Sequence, residues 1–415
     1  MLRYLLVGFV LSIFNFAPLS ADLPPLTPEQ ATPTTEPTET TILPFAYIVY
    51  DWDKGINGLH LIDGLTGDTL QEIVADGTNC PLGTSGTSPD RQWILFSRYY
   101  SDASGAFLLN VNTGETFQIT EFLPQPDNIA WSNDQRYLAF VSAKSDVYTL
   151  HRYDLENHQE ESISVPDRIA AIAFSGDGDD LLYIRVDRHE NSIQLHHWGE
   201  SETDDTATAT IIVPDVSNKL NGTAFAPDYS WAAFILYDKT DFTSSVLAVD
   251  LEQGTVNTLV EDRPGTVAWT FHDTDMFFYE ADDHSISLYR PDTGEIQTVS
   301  SSNFPMPDLT IYQLLASQDG SYLAVQRSSF GGPPEILVLD LIKGEMTNIQ
   351  GPINSDDGII EMQWVSDSQL VYTYASLDAQ YPALSDLYRY STNVKKNIAL
   401  TSTPEVDERF DCILG

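Results

Sequence analysis

Ser132-Asn133-Asp134-Gln135-Arg136-Tyr137-Leu138-Ala139-Phe140-Val141-Ser142 couples a short polar turn to a continuous apolar run. The same order returns along the chain. Ser88-Pro89-Asp90, Ser175-Gly176-Asp177, Ala226-Pro227-Asp228, Phe271-His272-Asp273, Ser317-Gln318-Asp319 and Val365-Ser366-Asp367 each stand before such a run. From Asp90 to Asp367, successive Asp spacings are 44, 43, 51, 45, 46 and 48 residues. Asp, Asn, Ser and Gly favour turns because they tolerate unusual backbone angles or bond their own main chain. Runs rich in Val, Ile, Tyr, Phe and Trp are strand chemistry. A fixed period of this size signals a stacked or radial repeat, and four strands per unit signal a propeller.

Each unit repeats one internal order. A first strand often carries an aromatic residue three places before the Asp, as at Trp131, Phe174, Phe225 and Trp364. A second strand follows the turn, as in Trp93 to Ser97, Tyr137 to Ser142 and Trp231 to Tyr237. A third runs into a hairpin such as Asn110-Val111-Asn112-Thr113-Gly114-Glu115 or Asp340-Leu341-Ile342-Lys343-Gly344-Glu345. Gly at the fifth place supplies the positive φ that such a bulged hairpin needs. A short polar fourth strand suits an exposed outer edge. No helical stripe of useful length interrupts this pattern, so the fold class is all-β.

The two ends of the chain fit a ring. Phe45 to Asp51, Leu59 to Ile62 and Leu70 to Val74 supply only three strands, and the final run Arg409 to Leu414 reads as the missing fourth. The expectation is an eight-bladed β-propeller closed by the C-terminal strand joining the first blade, with seven blades as the fallback if two units pack irregularly. Closure also gives the cysteines a role. Cys80 and Cys412 stand at corresponding places, and a disulfide between them would staple the ring. Closing so long a loop stabilises by about 4 to 5 kcal/mol in the chain-entropy model. Two buried free thiols are the alternative.

Residues 1–21 carry Arg3, the largely apolar stretch Tyr4 to Ala17 and the small-residue end Leu19-Ser20-Ala21, the layout of a secretory signal. Residues 22–44 are rich in Pro, Thr and Glu and read as a disordered linker, and 45–415 as the propeller domain. A secreted, periplasmic or cell-envelope location is expected, with a monomeric mature chain and no membrane insertion after signal cleavage. The 415 residues include 20 Lys+Arg against 61 Asp+Glu, a net charge of −41. Nucleic acid and anionic membrane surfaces are therefore poor partners. At 42% hydrophobic, the chain can still bury a large core.

The Ser-Pro-Asp type turn, the third-strand run Asp386-Leu387-Tyr388-Arg389-Tyr390 and the segment Leu400 to Asp407 resemble the TolB-like, WD40-like propeller repeats of bacterial envelope proteins. The resemblance covers 45–415. It implies the fold and leaves activity open, because such propellers host peptidase gating, sugar-lyase and purely adhesive roles.

Each candidate site also has a plainer reading. His196-His197, with His189 nearby, is the densest histidine cluster. Adjacent strand residues point to opposite faces, so the pair is expected to be structural. Asp51-Trp52-Asp53-Lys54-Gly55-Ile56-Asn57 and Asp177-Gly178-Asp179-Asp180 space oxygen ligands as calcium loops do, but neither completes one. No Gly-x-Ser-x-Gly elbow is present, and Phe330-Gly331-Gly332-Pro333-Pro334 is no phosphate loop. No catalytic, cofactor or metal residue is assigned. The expected function is a non-catalytic scaffold for a protein, peptide or glycan, bound at the channel mouth or at the connections Gly199 to Thr210 and Leu377 to Asp386. The alternative is a propeller enzyme, a polysaccharide lyase or hydrolase, with groups from at least three blades converging in the central channel.

Overall fold

The computed structural model describes residues 44–51, 56–64, 66–74, 78–81, 86–99, 104–144, 147–175, 180–187, 192–199, 207–212, 220–226, 228–264, 268–280, 285–300, 309–329, 334–349, 358–375, 385–401 and 407–409. Contacts divide the chain into Met1–Thr41 and Ile42–Gly415, and every described residue belongs to the second unit. The signal and most of the linker thus lie outside the described residues. No helix among the described residues is long and apolar enough to cross a membrane.

Among the described residues, the strands form eight four-stranded antiparallel sheets, seven of them ordered as the chain runs. Sheet 1 takes 44–74, sheet 2 78–120, sheet 3 124–165, sheet 4 168–212, sheet 5 220–264, sheet 6 269–300, sheet 7 309–349 and sheet 8 358–399. Sheet 1 draws its fourth strand, Asp407–Arg409, from the far end of the chain. Ile48, Val49 and Tyr50 oppose Arg409, Glu408 and Asp407 there. This pairing begins earlier than the apolar run after Arg409 suggests, and 410–415 lie outside the described residues. Its residues are polar, which a ladder held by backbone bonds permits.

Second strands are buried along their length, as in Tyr137–Lys144, where six successive residues are buried. That is the pattern of a strand packed on both faces. Phe96, Phe140, Phe234 and Phe278 are fully enclosed at equivalent places. Each such side chain contributes roughly 1.5 to 3 kcal/mol by leaving water. Apolar clusters join each sheet to the next in chain order. A further cluster joins Tyr47 and Ile62 of sheet 1 to Val365, Val371, Leu387 and Leu400 of sheet 8. Arg389 Nη1 also donates to the Gly64 carbonyl at 3.2 Å. Gly67, at φ 80°, backs onto the Leu400 carbonyl with no room for a Cβ.

The recurring turn has two forms. At Ser132 the hydroxyl donates to Asp134 Oδ1 at 2.6 Å and accepts from Tyr137 N at 2.8 Å, while Arg136 N donates to the same carboxylate at 3.0 Å. Gln135 takes φ 62°, a conformation glycine adopts freely and Gly320 occupies in sheet 7. Sheets 6 and 8 depart from the expected motif. Their first and second strands close directly, His272 opposing Asp275 and Ser366 opposing Gln369, around two-residue turns. Asp273 and Asp367 then sit in the turn itself, so the repeated Asp marks a place in the sequence more faithfully than a geometry.

Candidate functional site

Three first strands converge on a cavity of about 290 Å³. Its lining is Ile129 to Trp131, Ala171 to Phe174, Thr223 to Ala226, and Tyr229, from sheets 3, 4 and 5. Strand Arg168–Phe174 lies against both Pro124–Trp131 and Leu220–Phe225. Consecutive strand residues point to opposite faces, so a cavity touching three or four in a row meets the strand edge. These are sheet-edge strands, each with one side outside its ladder. Main-chain N–H and C=O groups on that side are the natural partners for an extended ligand.

Aromatic side chains frame the edges. Trp131, Phe174 and Phe225 are the residues that the sequence places before each turn, and Tyr229 follows the turn at φ 62°. Burial pushes the Tyr229 phenol above its ordinary value. Thr223 Oγ1 is buried without a hydrogen-bond partner. Among the described residues, no carboxylate, histidine or cysteine lines the cavity. The described lining offers apolar contact, main-chain hydrogen bonding and the Thr223 and Tyr229 hydroxyls.

A second constellation lies in sheet 3. His151 Nε2 is 2.7 Å from Ser142 Oγ, and its Nδ1 is 2.6 Å from Glu160 Oε1. The carboxylate assigns the ring proton to Nδ1, leaving Nε2 to accept from the serine hydroxyl. Register explains the meeting: His151 opposes Phe140 on one side and Ser162 on the other, so Ser142 and Glu160 are same-face diagonal neighbours. The order nucleophile, base, acid matches an activated serine. Access does not, since Ser142 is buried and His151 is fully enclosed, stacked on Phe140 at 4.6 Å. Burial lowers the imidazole's affinity for a second proton, and the Glu160 charge only partly opposes this.

The histidine pair behaves as strand geometry requires. His196 opposes Tyr183 and stacks on it at 4.8 Å, while His197 opposes Leu182 and points the other way. His189 lies outside the described residues. Among the described residues no three His, Cys, Asp or Glu converge as metal ligands. Asp51 and Asp180 are described, but the centres of both calcium-like segments are not. Most of the connections 199–210 and 377–386, and the run 330–333, are likewise outside. Cys80 lies in strand Thr78–Pro81; Cys412 is not described, so the Cys80–Cys412 pairing falls outside the described residues.

No protein-family model matches the chain, nor does any curated protein. Among solved structures the likeness is to β-propeller proteins. The chain resembles a prolyl endopeptidase at TM-score 0.56 and 11% identity, covering 76% of this chain and 48% of the other. It resembles the dihydro-heme d1 dehydrogenase NirN at TM-score 0.56 and 13% identity, covering 85% and 72%. It also resembles the β-propeller domain of the Trilobed protease from Pyrococcus furiosus at TM-score 0.48 and 12% identity, covering 75% and 92%. The chain thus spans about half of the prolyl endopeptidase. At these identities the likeness concerns fold alone.

Proposed function

We propose that the protein is an exported, TolB-like, eight-bladed propeller, closed by its C-terminal strand, that binds an extended peptide in its central channel. Three observations support closure: Asp407–Arg409 pairs with the first strand, Tyr47 and Ile62 pack against sheet 8, and Arg389 bonds the Gly64 carbonyl. In such a ring the first strand of each sheet faces the channel. The signal-like start and the Cys80–Cys412 staple belong to the same reading and rest on the sequence.

The observation that carries binding is the cavity on the edges of three neighbouring first strands. Edge strands suit a peptide backbone added along them, and Trp131, Phe225 and Tyr229 suit an apolar anchor. A catalytic reading would rest on Ser142, His151 and Glu160, whose enclosure keeps substrate away. The test compares the mature chain with a Thr223→Trp variant, which fills the cavity, in affinity capture from envelope extracts. Recovery of a specific peptide or protein that the variant loses supports the reading. Capture unchanged by the filled cavity, or turnover of peptide or polysaccharide substrates by the purified chain, overturns it.

A further inference from the structure

The turns that follow the first strands share one sign of charge. Sheets 2 to 8 carry Asp90, Asp134, Asp177, Asp228, Asp273, Asp319 and Asp367 there, joined by Asp179, Asp180 and Asp275, and the same stretches hold two arginines, Arg91 and Arg136, and no lysine. Arg136 is committed to Asp154 at 2.9 Å, with Glu156 at 3.9 Å, and Arg91 is half-buried. Asp134, Asp228, Asp273, Asp319 and Asp367 are exposed. Ser hydroxyls and main-chain N–H groups donate to Asp90, Asp134, Asp228 and Asp319. Neutral donors leave a carboxylate its charge. Among the described residues, none of these four has a Lys or Arg within ion-pair distance.

Neighbouring turns adjoin. Asp319 N donates to the Asp367 carboxylate, and burial together with the Asp319 charge pushes the Asp367 carboxyl above its ordinary value. His272 of sheet 6 lies against Gly320 of sheet 7, leaving no room for a Cβ. The cavity on sheets 3 to 5 reaches this same end of the first strands. Trp131, Phe174 and Ala226 are the last lining residues before their turns, and Tyr229 lines it from beyond one. Thr223 Oγ1, buried there without a partner, has a hydrogen bond to offer a ligand.

We infer that the peptide bound in the cavity is cationic at the turn end, with Lys or Arg next to its apolar anchor. The anchor occupies the cavity while the base meets the acids of the turns, Asp134 and Asp228 first. This rests on the cavity reading above and adds the ligand's charge and direction to it. In the proposed ring the turns surround one mouth of the channel, and a rim of one sign focuses its field there. A basic segment is drawn in and an acidic one turned away. Lys343 and Lys395 do not cancel the rim, because Asp340 holds one and Glu345 the other.

The test measures fluorescence anisotropy of three labelled synthetic peptides, alternating Leu with Lys, Gln or Glu, on the mature chain. Affinity should fall in that order. Asp134→Asn with Asp228→Asn keeps an acceptor for Ser132 Oγ and Arg136 N, so the pair should fold, as thermal melting will show. It should weaken the Leu/Lys peptide about fivefold, as the loss of two exposed ion pairs would, and leave Leu/Gln unchanged. Glu121→Gln with Glu261→Gln removes the same charge at exposed positions on or next to fourth strands, and should change Leu/Lys by less than about twofold. Thr223→Trp should abolish binding of Leu/Lys and Leu/Gln alike. Equal binding of all three peptides, lost in Thr223→Trp, overturns the cationic ligand and leaves the cavity reading standing. Equal weakening by the two acid pairs also overturns it, since net charge alone then explains the preference. Leu/Lys binding that survives Thr223→Trp, or no binding of any peptide, overturns both.

Discussion

Sheets 3 and 5 are the same unit built in two chemistries. Tyr137 opposes Asp154 in one, Trp231 opposes Asp250 in the other, and a fully buried Phe140 or Phe234 sits three residues on. Around that shared frame sheet 3 is polar: Ser132 caps the turn, and Ser142, His151 and Glu160 are linked across three strands. Sheet 5 has Ala226, Leu236, Leu247 and Val256 in those places. Both fold to one plan, so strand pattern and turn backbone specify the architecture. Polar links are an addition that makes sheet 3 dependent on every partner being present.

Removing one member should therefore hurt more than exchanging all of them. His151→Ala leaves a hole beside Phe140 and strands Ser142 and Glu160, and should cost about 2 to 4 kcal/mol in denaturant unfolding. Leu247→Ala in sheet 5 gives the reference for the hole alone.

Asp134→Ala comes next, at about 1 to 3 kcal/mol, because Ser132 Oγ and Arg136 N both lose their acceptor. Asp228→Ala should cost less, since the hydrogen bonds it accepts come from the exposed Ser230. Ser132→Ala should cost about 1 kcal/mol by freeing Tyr137 N, and the reverse change, Ala226→Ser, tests whether sheet 5 gains a similar amount. Paired melting curves read all four.

The exchange of the whole link, Ser142→Leu with His151→Leu and Glu160→Val, should leave stability within about 1 kcal/mol, as replacing a buried polar network by packed apolar groups often does. Its signature is in pH. Burial holds the His151 ring below its ordinary value of 6.5, so folding favours the neutral form. The ring's contribution is intact above that value and is lost as pH falls through the lowered one. The wild type should lose melting temperature across that window, and the exchanged chain should lose less. An equal loss would place the sensitive group elsewhere.

Much of this frame is legible in the sequence, because a turn residue and a second strand act within ten residues of each other. The Ser-x-Asp turn of sheets 2, 3 and 7, the second strands and the positive-φ Gly114, Gly294 and Gly344 are read directly. The Ser142–His151–Glu160 link is not. Its members stand nine residues apart on three strands, and only register makes them neighbours. The cavity is equally hidden, since strand edges, not a motif, form it. In sheet 6 the Asp spacing persists while the turn shortens, which no spacing reveals.

The central claim is that the chain closes on itself through Val49 and Glu408. These residues are opposed in the ladder, so Val49→Cys with Glu408→Cys, in a chain carrying Cys80→Ser and Cys412→Ser, offers a direct measurement. Mild oxidation should give an intrachain cross-link in the monomer and a higher melting temperature, as expected for a bond spanning most of the chain. Free thiols after oxidation, or cross-links only between chains, would contradict the closed ring.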